Sequence, residues 1–257
     1  GCQVPIIGND TITVSSVSTN FSFNNKLLCD SGIVSFADSS IATLDTINTY
    51  QWNFGDGNFS NSKNPVYHYS STGIFYPSLV TITQKGCTDT LTSSVPLRVV
   101  ASPDIDIISS ANGCAPLMVT FNGQLVVPDS STISWQWDFA NGNTSSSVSP
   151  AAQNYSAAGL YHVTLKGTNS SGCIDTVTKT IEAYSIPVVS AGADFTLCKG
   201  SSRTIDATGA DTYSWSPSAG LSCIDCANPS TTTTSNITYT VTGTSAQGCS
   251  ARDSVSV

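Results

Sequence analysis

Nine cysteines, two histidines, one glutamate and sixteen aspartates are the side chains with which this 257-residue chain could do chemistry. General acid–base catalysis needs a tuned histidine or a carboxylate pair, and nucleophilic catalysis needs a base within reach of a serine or cysteine. His68 and His162 lie 94 residues apart and Glu182 stands alone, so these types do not converge and no enzymatic activity is expected. His68 is expected to close a strand end by hydrogen-bonding a turn. His162, alternating with Tyr161 and Val163, is expected to face solvent. Calcium wants six to eight oxygens, several of them carboxylate. The candidates are Asp104 and Asp106, whose spacing of two puts both on one strand face, and Asp56 between two glycines. Two carboxylates do not complete a shell, and edge-strand charges that discourage pairing explain them as well. No cofactor is therefore assigned, with calcium left open at these three positions. Cys223-Ile224-Asp225-Cys226 has redox spacing without a helix start and zinc spacing without a second ligand pair, which leaves a local loop disulfide.

The surroundings of these residues restrict the class further. A net charge of -8 leaves no basic footprint for a phosphate backbone, so nucleic acid is excluded as a partner. No apolar run approaches the roughly 18 residues of a spanning helix, and no membrane insertion is expected. With 42 Ser and 32 Thr against one Glu, the usual material of solvent-facing helices is missing. The chain is expected to be all-β. Nine cysteines in so acidic and hydroxylated a chain favour an oxidising, extracellular compartment. Gly1-Cys2-Gln3-Val4-Pro5 has neither the basic nor the apolar part of a secretory signal, which reads as a mature chain or an internal piece.

Cysteines and tryptophans mark a period. Cys29 to Cys114 is 85 residues and Cys114 to Cys198 is 84, while Cys29 to Trp52 and Cys114 to Trp137 are both 23. Trp52 to Cys87, Trp137 to Cys173 and Trp215 to Cys249 are 35, 36 and 34. Seven residues after each opening cysteine comes Phe36, Phe121 or Ile205, and two before each tryptophan comes Tyr50, Trp135 or Tyr213. Three tandem repeats of one design follow, with the three tryptophans as core residues. Within each, apolar residues alternate as in half-buried strands (Tyr50, Trp52, Phe54; Trp135, Trp137, Phe139), and Gly55-Asp56-Gly57 and Asn141-Gly142-Asn143 supply turns. Short strands at this spacing argue for sandwiches of about seven strands. The expected division is residues 1–14 as the last strand of an upstream repeat, then 15–102, 103–185 and 186–257.

The Cys-Trp-Cys spacing resembles that of an immunoglobulin-like sandwich, in which a core tryptophan packs near a bridge. That resemblance implies bonds Cys29–Cys87, Cys114–Cys173 and Cys198–Cys249 beside Cys223–Cys226. Cys2 then stands where the closing cysteine of a preceding repeat would stand. Trp52-Asn53-Phe54-Gly55-Asp56-Gly57, Pro65-Val66-Tyr67-His68-Tyr69, Gly73-Ile74-Phe75 and Gly86-Cys87 together resemble a PKD domain. The second repeat is similar but diverged, with Ala140-Asn141 for Gly-Asp and Gln153-Asn154-Tyr155 lacking the histidine. The third is similar to PKD-like or Ig-like repeats of secreted Bacteroidota surface proteins. The resemblance implies three tandem immunoglobulin-like PKD sandwiches, disulfide-stapled and arranged as a rod.

Cysteine-paired PKD repeats in tandem are similar to those of very long adhesins of that phylum, including gliding-motility adhesins exported by the type IX system. The implied function is a non-catalytic spacer or adhesion stalk of a large secreted cell-surface protein. Its partners would be neighbouring repeats of the same long chain and an extracellular surface or polysaccharide. The alternatives are a subunit of an extracellular filament and an accessory carbohydrate-binding region of a secreted hydrolase. Bacteroidota O-glycosylation resembles an Asp-Ser/Thr-apolar rule that fits Thr11, Thr46, Thr90, Thr176 and Ser254. An exposed Asp-Thr that simply starts a strand is the equal alternative.

Overall fold

A computed structural model describes residues 14–127 and 133–257. The upstream strand expected in 1–14, with Cys2 and Thr11, lies outside the described residues except for Val14. Among the described residues every regular element is a strand, as the Ser/Thr excess and period-two patterning require.

In the first repeat, Ile47–Asn53 and Ser78–Thr83 form the middle of an antiparallel four-stranded sheet flanked by Phe59–Ser60 and Thr88–Thr92. Facing strands include Gly32–Asp38, which pairs with Phe21–Phe23 and Val66–Tyr69, and Leu97–Val100, which pairs with Gly73–Phe75 and, in parallel, with Leu27–Cys29. Alternation sets the inward set. In Ser78–Thr83 residues 79, 81 and 83 are buried, and the core is Val34, Phe36, Trp52, Phe54, Tyr69, Leu79, Leu97 and Val99.

The second repeat is built on a five-stranded sheet in the order Gly113–Cys114, Ile174–Tyr184, Gly159–Thr168, Ser134–Asp138, Thr144–Ser145. The pairs Ile105–Ser109 with Phe121–Leu125 and Leu117–Val119 with Gln153–Tyr155 accompany it. Trp137, Phe139, Phe121 and Leu165 centre the core. The third repeat is smaller: Thr212–Ser216, Thr238–Thr244 and Ser250–Ser256 pair in that order, over a core in which Ala191 and Ala207 join Trp215, Tyr239 and Val241. Trp52, Trp137 and Trp215 are 0%, 0% and 3% exposed, so the tryptophan register places one in each of three separate cores.

Two compact units result. One holds the described residues up to Asp104 together with Thr168–Asp175, and the other holds most of the rest, Ser134–Gly167 and Thr176–Val257 included. The hairpin Thr168–Asp175, which the sequence register puts at the end of the second repeat, thus belongs to the same compact unit as the first repeat.

Candidate functional site

The residues with the most consequential chemistry are the cysteines. Each closing cysteine sits in the same hairpin. In Thr83-Gln84-Lys85-Gly86-Cys87 the Thr83 N–H donates to the Cys87 carbonyl (2.9 Å), Gly86 N–H donates to the Thr83 carbonyl (3.0 Å), and Thr83 Oγ1 accepts from Cys87 N–H (3.0 Å). Asn169-Ser170-Ser171-Gly172-Cys173 repeats all three bonds, with Asn169 Oδ1 as the acceptor at 3.0 Å. Ser245-Ala246-Gln247-Gly248-Cys249 does so again through Ser245 Oγ at 3.2 Å. The glycine of each has φ between 83° and 89°, a left-handed conformation that a side chain would strain. The hairpin therefore reads Thr/Asn/Ser-x-x-Gly-Cys. Its cysteine is buried in all three copies, and in all three it is disulfide-bonded.

The opening cysteines stand elsewhere. Cys29 pairs with Val100 and Cys114 with Tyr184, each at the far end of the repeat's last strand. Cys173 immediately precedes the eleven-residue strand Ile174–Tyr184, and Cys114 lies beside its final residue. At about 3.3 Å per residue the two are roughly 35 Å apart. A disulfide needs Cα atoms within about 7 Å. The own-repeat pairs Cys29–Cys87, Cys114–Cys173 and Cys198–Cys249 are accordingly not formed. Cys29 bonds Cys173 (Cα–Cα 5.5 Å), Cys114 bonds Cys249 (5.6 Å), and Cys198 is an exposed free thiol. The opening cysteines of the first two repeats thus take the closing cysteine of the next repeat. Loop closure over 144 and 135 residues is worth about 5 kcal/mol each on the chain-entropy model.

Polar side chains hold the Cys173 hairpin in place. Asn169 Nδ2 donates to the Ala101 carbonyl (2.9 Å), and its Oδ1 accepts from both Ser171 and Cys173 N–H (3.0 Å each). Asp30 Oδ1, next to Cys29, accepts from Ser102 N–H at 2.7 Å.

Cys223 and Cys226 are bonded to each other in a loop. The loop matters to the third core because Trp215 Nε1 donates to the Cys226 carbonyl at 3.0 Å. Trp52 and Trp137 make the corresponding bonds to the carbonyls of Ser62 (2.9 Å) and Ser147 (2.8 Å), ten residues on. The hydroxyls of Tyr69 and Tyr155 similarly donate to the carbonyls of Phe54 and Phe139 at 2.8 and 3.0 Å. Burial pushes both phenols up, Tyr155 to about 12, which keeps them protonated donors.

The calcium candidates have different settings. Burial works against the Asp56 charge, yet the hydrogen bonds outweigh it and the carboxyl lies below its ordinary value. Oδ2 accepts from Tyr67 Oη–H (2.6 Å) and Oδ1 from Asn58 N–H (3.0 Å), so both oxygens are engaged in fixing the turn. Asn141 takes the equivalent place in the second repeat, accepting from Asn143 N–H at 3.1 Å. Asp104 and Asp106 are both exposed, and Asp106 Oδ1 accepts from Ile107 N–H. Among the described residues no three histidines, cysteines or acids gather as a metal cluster. His162 is exposed and meets Thr180 Oγ1 at 3.1 Å. His68 is also exposed, opposite Ile33, and among the described residues its ring bonds no turn; the tie expected of it is made by Tyr69 instead.

The Asp-Ser/Thr-apolar pattern has a structural meaning that the sequence did not disclose. At 45–47, 89–91, 175–177 and 253–255 the aspartate is half-buried, the hydroxyl residue exposed and the apolar residue half-buried or, at Val255, buried. Asp89 Oδ2 accepts from Thr19 N–H (2.6 Å) and Asp253 Oδ2 from Ala191 N–H (2.8 Å), clamping the opening segment of the first repeat to Thr88–Thr92 and that of the third to Ser250–Ser256. These backbone bonds hold both carboxyls below their ordinary value. Asp45 is lowered first by Thr83, and it also accepts from Lys85 N–H in the Cys87 hairpin. Thr46, Thr90, Thr176 and Ser254 present their side chains to solvent.

Known proteins similar to this chain include PKD domains. The PKD1 domain of Vibrio anguillarum Epp is similar at 27% identity over 33% of this chain and 95% of that one, with a TM-score of 0.29. The PKD1 domain of the Vibrio cholerae metalloprotease PrtV is similar at 24% identity over 33% and 98%, with a TM-score of 0.30. A structure from a 1.5-MDa bacterial ice-binding adhesin matches at 12% identity over 94% and 96%, with a TM-score of 0.34. Residues 19–99 and 100–183 each match the PKD domain, two copies in tandem that cover more than half of the sequence, and the chain belongs to the PKD domain family.

Proposed function

We propose that the chain is a non-catalytic structural and adhesive segment of a large secreted bacterial cell-surface protein, three sandwiches long, acting as a spacer or adhesion stalk. The observation that carries this reading is the bonding pattern: the buried closing cysteines of the second and third repeats are tied to the opening cysteines of the first and second. Bonds of this kind persist in an oxidising compartment, and their use is to transmit load and limit bending between successive sandwiches. The acidic, hydroxyl-rich strand surface fits exposure to water outside the cell, and exposed Thr46, Thr90, Thr176 and Ser254 are accessible for glycan attachment. The buried aromatic residues belong to the cores, which leaves polar strand faces, neighbouring repeats and an extracellular surface or polysaccharide as the partners. Gliding motility is one setting in which such a stalk would serve.

The test is immunolabelling of intact cells with an antibody raised against residues 14–257, before and after external protease treatment. Labelling of unpermeabilised cells that the protease removes is expected. Labelling that requires permeabilisation would overturn the reading.

A further inference from the structure

Two observations combine at Cys198. The first is its place in the repeat: Phe195 N–H donates to the carbonyl of Ser256 at 3.1 Å, so the segment approaching Cys198 runs beside the end of the last strand, as Leu27–Cys29 and Gly113–Cys114 do in their repeats. A turn follows it, with Ser201 N–H donating to the Cys198 carbonyl (2.9 Å); a tighter one follows Cys29, where Ser31 N–H donates to the Cys29 carbonyl (2.7 Å). The second is what the two equivalent cysteines do, since each bonds a Gly-Cys hairpin 144 or 135 residues further on. Cys198 alone of the three has an exposed, free thiol. The chain beside it, Leu197 and Lys199, lines an open groove with Thr233, Asn236 and Val257.

We infer that Cys198 is the receiving half of a further rung: it forms a disulfide with the cysteine of a Thr/Asn/Ser-x-x-Gly-Cys hairpin in another repeat of this design. The inference rests on the extracellular structural-repeat reading. A second copy of this chain is a poor source of that hairpin, because Cys87, Cys173 and Cys249 are already bonded. The oxidant is a disulfide donor of the thiol–disulfide exchange class. One cysteine thiolate attacks the donor disulfide and releases a thiolate, and the second cysteine thiolate then displaces the donor's other sulfur. One S–S bond forms in the protein and one breaks in the donor. The two electrons leave with the donor as two thiols, which take up the two protons that the cysteines lose.

The experiment is disulfide mapping of the full-length protein from its native source, alkylated without reduction, digested and analysed by mass spectrometry. The expected result is a Cys198 peptide linked to a peptide whose cysteine follows glycine, with Thr, Asn or Ser four residues before that cysteine. Alkylated Cys198, Cys198 capped by a small thiol, or Cys198 joined to its counterpart in a second copy would overturn the inference while Cys29–Cys173 stays bonded. Alkylation of Cys29 and Cys114 as well would overturn the extracellular reading and this inference with it. Cys198→Ser should abolish that one linked peptide and leave the others, a readout that does not depend on stability.

Discussion

Asn169 holds the Cys173 hairpin through three side-chain hydrogen bonds, to Ser171 N–H, Cys173 N–H and the Ala101 carbonyl, and it is 5% exposed. At about 1 kcal/mol per bond, Asn169→Ala should destabilise the protein by about 3 kcal/mol, with the buried Cys173 N–H left unpaired as the largest contribution. Asn169→Ser separates the contributions. Ser245 shows that a serine at this position still accepts from the cysteine N–H, so Asn169→Ser should lose the Ala101 bond and cost about 1–2 kcal/mol. Urea denaturation followed by tryptophan fluorescence gives the two values. The rate at which dithiothreitol reduces Cys29–Cys173 should rise in the same order, alanine above serine above the natural residue. Equal destabilisation by alanine and serine, or an alanine variant within about 0.5 kcal/mol of the natural protein, would refute the role given to this side chain.

Other outcomes follow from the same geometry. Trp52→Phe and Trp137→Phe each remove an indole bond to a carbonyl and leave a gap in a fully buried site, so each should cost about 2–4 kcal/mol by chemical denaturation, against about 1 kcal/mol for Tyr69→Phe. Replacing both Cys223 and Cys226 by serine should cost about 2 kcal/mol and act on the transition reported by Trp215, because the loop they close carries the carbonyl that Trp215 holds. Asp89 and Asp253 have folded-state values below the ordinary 3.8, so the unfolded chain binds their protons more readily. Their contribution is present above pH 4 and is lost as pH falls through the depressed folded values; Asp89→Asn should flatten the acid limb of the stability profile measured by denaturant titration.

Much of the fold is legible in the sequence for a simple reason: a half-buried strand has to alternate. Tyr50-Trp52-Phe54 and Trp135-Trp137-Phe139 reach their cores in the register that the tryptophan spacing marks, and Phe36, Phe121 and Ile205 are buried as their places after the opening cysteines require. The bonding partners are not legible from Cys-Trp-Cys spacing, because spacing fixes the repeat and not the position along a strand. One signal was present. Val177, Ile181 and Ala183 keep one phase of alternation, interrupted by Lys179, along a strand that runs from Ile174 to Tyr184 without a turn residue, which puts Cys173 at the very start of its last strand and far from Cys114. The shared hairpin is visible only when Thr83, Asn169 and Ser245 are aligned four residues before their cysteines, since three different side chains perform one capping bond. The aspartate clamps are less accessible still. Asp89 meets Thr19 and Asp253 meets Ala191 across 70 and 62 residues, contacts that depend on tertiary closure.

The covalent tie from one repeat to the next can be tested with a single cut. A specific protease site introduced between Ser102 and Pro103 would separate residues 1–102 from 103–257, with Cys29 on one side and Cys173 on the other. After cleavage, electrophoresis without reductant should show one species at the undivided mass of 26.7 kDa, resolving into two fragments only when the disulfides are reduced. Two fragments without reductant would contradict the tie, and with it the assignment of these sandwiches as a bonded structural array.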